Sequence, residues 1–578
     1  MGWLIGTFGN YSNDELRKLK SLHPQPLHSF ISDKIYITAG GIPETCLSSI
    51  QEDDLSGWIT CGIGIKYENG NASLMNKNNW NSELSKKDFS QFHLNGHFAI
   101  AKWNADKLEL FTDQLGVRNL YITKLNDNFV FSTRLDWISK LNKNISIDWE
   151  ELGARWFLVN QLSDKSILNN IERINQGGKA VLSLNPLSVQ ATNQPWHPDL
   201  VGSRTEKDLS STLNDFTLCG LRSEKELSLG LSGGFDSRIL LAQLLASDSK
   251  NWSLHSLNSD ADPDRKIAEK ISKELNIEHF FWEYSLPSVD TILTQLKDFI
   301  GQTMLIFPAS AYLNVQFYPL LYKQNKIVID GSNGEITRRR FFVGLQLRGG
   351  KAIYNNEFAE LLPLLQNGRP TFFAKDYNHL MQKNLKRHIE NFCSTMPSPK
   401  DIGIGNWIDL FTLRTRLPNA SAPEQARSDS EMINYMPFIQ PAFLRKIFET
   451  PVEERKNSKI FHKIINDNAP ILKHFPFVKD GVIYPFSLGT VPASIYMKIK
   501  RRLGFVYQDK RVENFLDHLS GLIQEMVHST DVKSSGVYDY KRIIEITDGY
   551  YKKRNMDFAR DINWWLSFEI WRQTIHNK

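Results

Sequence analysis

The chain has 578 residues, of which 41% are hydrophobic and 23% charged, and its 69 basic and 64 acidic side chains leave a net charge of +5. This length exceeds one ordinary hydrophobic core, so we expect two or three domains. The positive excess is small for the length and does not indicate nucleic acid as an obligate partner. No apolar run of about 18 residues occurs, so no transmembrane helix is predicted.

The N-terminal stretch MGWLIGTFGNYSNDE predicts a buried strand. It has no basic n-region and no small-residue cleavage site, which argues against a secretory signal, and position 6 is glycine where a myristoylation signal needs Ser or Thr. The four cysteines form no CxxC pair, so neither a zinc ribbon nor a dithiol redox site is indicated. Scattered thiols are typical of a reducing compartment, and we expect a cytoplasmic protein without a membrane partner. The cysteines are Cys46, Cys61, Cys219 and Cys393.

The first part of the chain predicts a β-rich layered domain, which we place at residues 1–200. The runs FAIAKWNADKLELFTD and LYITKLNDNFVFST each alternate around a turn rich in Asn and Asp, and each predicts a β-hairpin. Residues 185–208 carry prolines and turn residues without a strong period and predict a linker.

From residue 205 onward, predicted strands alternate with predicted helices. LSLGL is followed by SRILLAQLLA, NWSLHSL by DRKIAEKISKEL, and KIVIDG opens after a helical stretch. This alternation indicates parallel βαβ units in a doubly wound sheet. Beyond about residue 340 the pattern is mostly helical. We therefore predict an α/β fold class with a second domain at residues 205–578.

The motif SGGFDS, residues 232–237, falls at the turn between a predicted strand and a predicted helix, where backbone N–H groups bind phosphate. Gly233 and Gly234 allow close approach of a ligand, and Ser232 and Ser237 add hydroxyl donors. A carboxylate at Asp236 suits Mg²⁺ that bridges pyrophosphate oxygens. No GxxxxGK[ST] pattern surrounds the motif, so cleavage at the γ-phosphate is not indicated. The alternative interpretation is an ordinary glycine turn before a Ser-capped helix.

SGGFDS resembles the pyrophosphate loop of ATP pyrophosphatases, and the order of the other motifs resembles the asparagine synthetase family. Residues 93–133 resemble its amidotransferase half, IVIDGSNGEI stands where the family has an acidic loop, and YMPFIQPAFLRKIFETPVEERKNSKIFHKII resembles a later segment. The resemblance implies an Ntn-hydrolase-like αββα sandwich at 1–200. It also implies an ATP-pyrophosphatase domain with a large helical C-terminal part at 205–578, and ATP and Mg²⁺ as cofactors.

The resemblance also implies catalytic and metal-binding residues. Lys479, in FPFVKDGV, falls where the family has a lysine that stabilises negative charge on the acyl-adenylate or the tetrahedral intermediate. Glu335 follows Gly331 by four positions, where the family has the first of two acids, and would hold Mg²⁺ with Asp236. Ile336 stands in place of the second acid. The alternative is that Glu335 is a solvated loop residue and the enzyme is impaired.

The nucleotide pocket is also implied by the resemblance. The backbone of Leu231, Leu257 and Gly331, at the carboxyl ends of three predicted strands, would line the adenine and ribose pocket. Asp264 is interpreted as an acid that complements a helix dipole. The run Arg338–Arg340 neutralises pyrophosphate or binds an anionic substrate, or else forms a solvated helix face. The basic run at 498–505 is expected at the surface, where it could hold an acidic leader or carrier.

One departure from the family bears on glutamine. A working family member needs cysteine directly after the initiator methionine, and this sequence has Gly2 there. We expect no glutaminase activity, as in the β-lactam synthetases and lasso-peptide cyclases that the chain resembles.

The sequence predicts an AMP-forming amide ligase that adenylylates a carboxylate and lets an intramolecular or free amine attack it. The alternatives are ammonia-dependent amidation of a small acid or sugar acid, tRNA thiolation, and a non-catalytic nucleotide-binding protein. The expected partners are a small-molecule or peptide carboxylate and no nucleic acid. A homodimer or a biosynthetic partner protein is also compatible with the sequence.

Overall fold

The structure is a computed structural model that describes residues 2–51, 55–141, 144–198, 206–257 and 259–576. Thirteen strands in its N-terminal part form two antiparallel sheets. The strands are β1 (Trp3–Gly9), β2 (His28–Ile31), β3 (Ile35–Gly40), β4 (Cys46–Gln51), β5 (Ser56–Glu68), β6 (Asn71–Leu74), β7 (Asn95–Trp103), β8 (Lys107–Thr112), β9 (Leu120–Leu125), β10 (Asn128–Ser132), β11 (Glu172–Ile174), β12 (Lys179–Leu184) and β13 (Leu187–Thr192).

The two sheets pack face to face. One has the order β11-β9-β10-β1-β3-β2, and the other has the order β13-β12-β8-β7-β5-β4, with β6 paired to β5. Apolar side chains from both inner faces share one core, which includes Leu4, Ile37, Ile59 and Leu110. Both predicted hairpins are confirmed, as β7–β8 and β9–β10, and so is the buried N-terminal strand β1.

Helices cover the outer faces of both sheets because each outer face is also apolar. α1 (Asn13–Ser21) lies over the first sheet and α2 (Lys77–Leu84) over the second, where Trp80 packs on Phe98. α3 (Leu135–Leu141) joins α1 on the first sheet through Trp137. These layers are an αββα sandwich. α4 (Trp149–Phe157) follows them in the chain.

A third sheet is entirely parallel and has the order β16-β15-β14-β17-β18. Its strands are β14 (Glu226–Gly230), β15 (Trp252–Leu257), β16 (His279–Trp282), β17 (Lys326–Ile329) and β18 (Ile433–Tyr435). The chain builds outward from β14 to β16 and then crosses to the other side of β14. The predicted α/β fold class, with the αββα sandwich and the doubly wound sheet, is confirmed.

The remaining helices surround the parallel sheet and form the C-terminal part. They are α5 (Glu206–Thr217), α6 (Phe235–Leu245), α7 (Pro263–Glu274), α8 (Val289–Thr303), α9 (Tyr318–Lys323), α10 (Gly334–Thr337), α11 (Val343–Arg348), α12 (Gly350–Tyr354), α13 (Leu362–Leu365), α14 (Lys375–Gln382), α15 (Leu385–Ser394), α16 (Pro399–Arg416), α17 (Ala422–Ser428), α18 (Pro441–Glu449), α19 (Val452–Arg455), α20 (Lys459–Asn468), α21 (Thr490–Arg502), α22 (Arg511–His518), α23 (Ser520–His528), α24 (Thr530–Ser534), α25 (Tyr540–Tyr551) and α26 (Ala559–His576). A two-stranded hairpin, β19 (Phe477–Lys479) and β20 (Val482–Tyr484), interrupts them.

The linker predicted at 185–208 is wrong in its first part. Residues Leu187–Thr192 are strand β13, which pairs with β12 at the edge of the second sheet. Residues 199–205, where the predicted domain boundary falls, lie outside the described residues, so the division into 1–200 and 205–578 stays a prediction. Within the described ranges, we find no helix with the length and apolar character that a membrane span needs.

Candidate active site

The candidate site lies where the strand order of the parallel sheet reverses. β14 and β17 are neighbours, and the loops that follow them are Leu231–Gly234 and Asp330–Asn333. Such a switch point at the carboxyl ends of parallel strands is where open α/β sheets bind ligands. The two loops approach closely, since a Cβ atom placed on Gly331 would lie 3.4 Å from the backbone nitrogen of Ser237.

The SGGFDS motif forms a tight turn that opens α6, with Gly234 as the helix N-cap. Its backbone is held by side chains: Ser232 N–H donates to Ser237 Oγ over 3.2 Å, and Gly234 N–H donates to Ser232 Oγ over 3.1 Å. The remaining N–H groups of the first turn of α6 are the donors that a helix N-terminus offers to an anion.

Asp264 supports this turn from the neighbouring helix. Its Oδ1 accepts a hydrogen bond from Gly233 N–H over 2.9 Å, at the beginning of α7. Burial, and then the nearby Asp262 carboxylate, raise the pKa of Asp264 to about 6. Asp264 therefore contacts the predicted phosphate loop directly, in addition to the helix-dipole role that its position suggests.

Asp236 is bound on both carboxylate oxygens by Arg338. Arg338 Nε donates to Oδ1 over 2.5 Å and Nη2 donates to Oδ2 over 2.7 Å. The Arg338 guanidinium also lies over the Phe235 ring, 4.7 Å from its centroid. Gly334 permits this arrangement, because a Cβ atom there would overlap Asp236 Oδ1. Arg338 and Arg339 are buried, so the solvated helix face that we considered for Arg338–Arg340 is wrong for these two residues.

Glu335 faces the same region from the beginning of α10. Burial, and then the charge on Asp236, raise the pKa of the Glu335 carboxyl. Within the described part of the chain, no other residue donates a hydrogen bond to this carboxylate. Glu335 lies in α10 and is half-buried, so it is not a solvated loop residue. Its carboxylate accepts from its own N–H and keeps acceptor capacity for a ligand.

Lys479 reaches the site on the β19–β20 hairpin. The hairpin is joined to the SGGFDS turn, since Val478 N–H donates to Gly233 O over 2.8 Å. The buried Arg238 of α6 adds a second link: its Nη1 donates to Phe475 O over 2.7 Å and its guanidinium lies 4.3 Å from the Phe477 ring centroid. The Lys479 residue is exposed, while neighbouring atoms still desolvate its amine, so partial burial and then the charge on Arg340 lower the pKa of Lys479.

A cavity of about 300 Å³ brings these segments together. Its wall includes four predicted site residues, Gly234, Asp236, Glu335 and Lys479. It also includes residues that sequence reasoning did not select; the complete lining is Gly234, Phe235, Asp236, Glu335, Arg338, Arg340, Ser458, His462, Phe477, Val478, Lys479, Tyr484, Leu488, Ala493 and Met497. The roles of the predicted residues stay predictions.

The structure places the predicted nucleotide-pocket residues at the same edge of the sheet. Leu231 directly follows β14, Leu257 is the last residue of β15, and Gly331 comes shortly after β17. None of the three lines the 300 Å³ cavity. Their predicted contact with adenine and ribose stays a prediction.

Two residues missed by sequence reasoning are His462 and Tyr484. The His462 ring packs edge-on against Phe235 and Phe486, with centroids 4.7 and 5.1 Å apart, and burial followed by the charge on Arg338 lowers its pKa to about 4. Burial raises the pKa of Tyr484. No motif marks either residue, since both lie on elements that reach the cavity only through tertiary packing.

The donor chemistry fits one Mg²⁺ ion better than two. Mg²⁺ is commonly held by one or two carboxylates together with substrate phosphates. Among the described residues, the Glu335 carboxylate accepts only from its own N–H, whereas both oxygens of Asp236 are bound by Arg338. Across the described residues, no group of three His, Cys, Asp or Glu side chains could hold a metal ion without help from a substrate.

The comparisons with known proteins show little similarity. No protein-family model and no curated protein matches the chain. An NH3-dependent NAD synthetase from Campylobacter jejuni shares 14% identity over 34% of this chain and 98% of its own, with a TM-score of 0.19. NMN synthetase from Francisella tularensis shares 18% over 39% and 94%, with a TM-score of 0.19. A glutamine PRPP amidotransferase from B. subtilis shares 9% over 58% and 77%, with a TM-score of 0.22. Similarities this low assign no activity to the chain.

Proposed function

We propose that this protein is an ATP-dependent, AMP-forming amide ligase of the asparagine synthase type. A carboxylate oxygen of the substrate attacks the α-phosphorus of ATP, the bond between the α- and β-phosphates breaks, and pyrophosphate leaves. An amine nitrogen then attacks the acyl carbon, its proton passes to solvent or a base, and AMP leaves. The observation that carries this proposal is that Asp236, Glu335 and Lys479, from three separate segments, line one cavity beside the SGGFDS turn.

The residues of the cavity suit the charges that this reaction develops. The N-terminus of α6 stabilises a leaving pyrophosphate. Lys479 and Arg340 add positive charge, and in the described residues no carboxylate lies within ion-pair distance of either. Without a carboxylate partner, both cations can pair with the negative charge that develops on the phosphates. The rings of Phe235 and Phe477 stack with centroids 4.9 Å apart and give the cavity an apolar wall.

Mg²⁺ would shield the phosphate charges, and Glu335 would hold it together with phosphate oxygens. Asp236 becomes available to a metal only where Arg338 releases it. The carboxylate and the amine are not identified by these residues. An amine within the same molecule, as in peptide or natural-product cyclisation, is our first proposal, and free ammonia is the alternative.

The test is the nucleotide product. Purified protein is incubated with Mg-ATP, a panel of small-molecule and peptide carboxylates, and hydroxylamine as a general amine, and the nucleotides are separated by chromatography. We expect AMP and pyrophosphate in equal amounts, and ATP–pyrophosphate exchange with the same carboxylate. In Lys479→Met, both product formation and exchange should be slower than in the wild type. Stoichiometric ADP would contradict the proposal.

A further inference from the structure

The Asp236–Arg338 pair occupies the position at which a metal ligand is expected. The pair joins the loop after β14 to the chain after α10, residues that are 102 positions apart. Two hydrogen bonds to Asp236 fix one edge of the Arg338 guanidinium, and the Phe235 ring packs against its face. Removal of either partner would leave a largely buried charge without compensation, which is costly.

The loop after β17 also differs from the acidic loop of the family that the chain resembles. Ile336 stands where an acidic loop would supply a further carboxylate, and its side chain is buried and apolar. Two residues later the chain supplies Arg338, whose guanidinium carries a positive charge at every accessible pH. The loop therefore brings one carboxylate, Glu335, and the fixed cations Arg338 and Arg340 to the same cavity.

We propose that Arg338 takes the place of one divalent cation, so that a single metal ion accompanies ATP and Asp236 serves as the anchor of the arginine. This inference rests on the proposed function, since it concerns how the same cavity neutralises pyrophosphate. A planar guanidinium binds phosphate oxygens in a fixed geometry, and its anchoring by Asp236 lowers the entropy lost on binding. Glu335 is then the one protein carboxylate that contacts the metal.

The test counts metal ions and does not depend on turnover. Mn²⁺ is titrated into the full-length protein with saturating α,β-methylene-ATP, and free Mn²⁺ is measured by electron paramagnetic resonance. We expect one bound Mn²⁺ per chain in the wild type and two in Arg338→Met, which frees Asp236 beside Glu335. Arg340→Met is the matched control. It removes a neighbouring cavity arginine that has no carboxylate partner among the described residues, and this variant should bind one Mn²⁺.

Two more variants keep the test decisive if Arg338→Met fails to fold. Asp236→Asn should still bind one Mn²⁺, because Asp236 is not a ligand, and Arg338→Met/Asp236→Asn should return the count from two to one. Two ions in the wild type, or loss of the bound ion in Asp236→Asn, would overturn the inference. Absence of analogue binding by the wild type would instead contradict the proposed function, and this inference with it.

Discussion

Val478 N–H donates to the carbonyl oxygen of Gly233 over 2.8 Å, so the strand that carries Lys479 is hydrogen-bonded to the SGGFDS turn through main-chain atoms. The position of Lys479, the next residue, is therefore set by the backbone of this turn. Arg238 reinforces the same contact from α6 through its bonds to Phe475 and Pro476.

The first prediction is that Gly233→Ala displaces the hairpin of Lys479. A Cβ atom on Gly233 would overlap Val478 Cγ2, and both residues are buried, so the hairpin must move. We expect amide formation to fall by about 10² or more, because small misplacements of a catalytic group are costly. Product formation is measured with the carboxylate that supports exchange.

Gly234→Ala is the matched control for this prediction. The nearest atom to a Cβ on Gly234 is Ser232 Oγ at 3.0 Å, so that variant should leave the hairpin in place, and any loss of activity there would come from its Cβ in the cavity. Val478→Gly in the Gly233→Ala background removes both side-chain atoms that the new Cβ would meet and should restore part of the loss. No recovery in the double variant would show that the hairpin contact is not the cause.

The second prediction is that Lys479→Met separates the two half-reactions. If Lys479 stabilises the tetrahedral intermediate, amide formation should fall by about 10² while ATP–pyrophosphate exchange partly survives, because adenylation never meets that intermediate. Both rates are measured on the same preparation after circular dichroism shows a folded protein. Product formation at the wild-type rate would mean that another residue has this role.

The third prediction is that Asp236→Asn abolishes both half-reactions together. Asparagine keeps the size of the side chain but loses the charge that fixes Arg338 beside the pyrophosphate position. Exchange and amide formation should each fall by about 10² or more. Exchange at the wild-type rate would remove the SGGFDS loop from the mechanism.

The fourth prediction concerns pH and Asp264. Because its pKa is raised to about 6, the folded protein binds this proton more tightly than the unfolded chain does. The stability that the group contributes is complete below about pH 4 and is lost as the pH rises through about 6. Asp264→Asn keeps an oxygen for Gly233 N–H without the charge, so it should raise the free energy of unfolding by about 3 kcal/mol at pH 8.

Urea denaturation at pH 4 and pH 8 checks this difference. Wild type and Asp264→Asn should have similar free energies of unfolding at pH 4 and diverge at pH 8. A difference that does not change with pH would show that Asp264 is not protonated in the folded protein near pH 5.

The fifth prediction is that the protein does not hydrolyse glutamine. Gly2 is buried, with Asp429 and Arg118 packed around it, and it offers no thiol. The cross-strand neighbours Cys46 and Cys61 are buried, which raises the pKa of both thiols and disfavours the nucleophilic thiolate. Glutamate release from glutamine above a buffer control, at a rate that matches product formation, would contradict this.

Sequence reasoning succeeded where the signal is local. The hairpins β7–β8 and β9–β10, strands β14, β15 and β17, and the turn at Gly233 follow from alternation and from glycines over a few residues. β13 was missed because it is an edge strand with intermediate and exposed side chains, so it lacks an apolar alternation. The β19–β20 hairpin has only three residues in each strand, too few for a period.

The pairing of Asp236 could not be predicted for a different reason. Three consecutive arginines are typical of a solvated surface, and only long-range partners make the burial of two of them favourable. Arg338 finds Asp236, and Arg339 Nε lies 3.3 Å from Asp409 Oδ1. Neither partner is close in sequence, so residue type alone indicated the wrong environment.

Strands β17 and β18 pair side by side although α10–α17 lie between them in the chain. Closing a loop costs free energy that grows only with the logarithm of its length, so the length of this excursion does not prevent the two strands from pairing. The excursion begins with Glu335 and Arg338 and also supplies Asp409, the buried partner of Arg339, so its helices are tied both to the candidate site and to the core. Exposed positions on these helices can change without shifting the spacing between the ends of β14 and β17, which main-chain hydrogen bonds set.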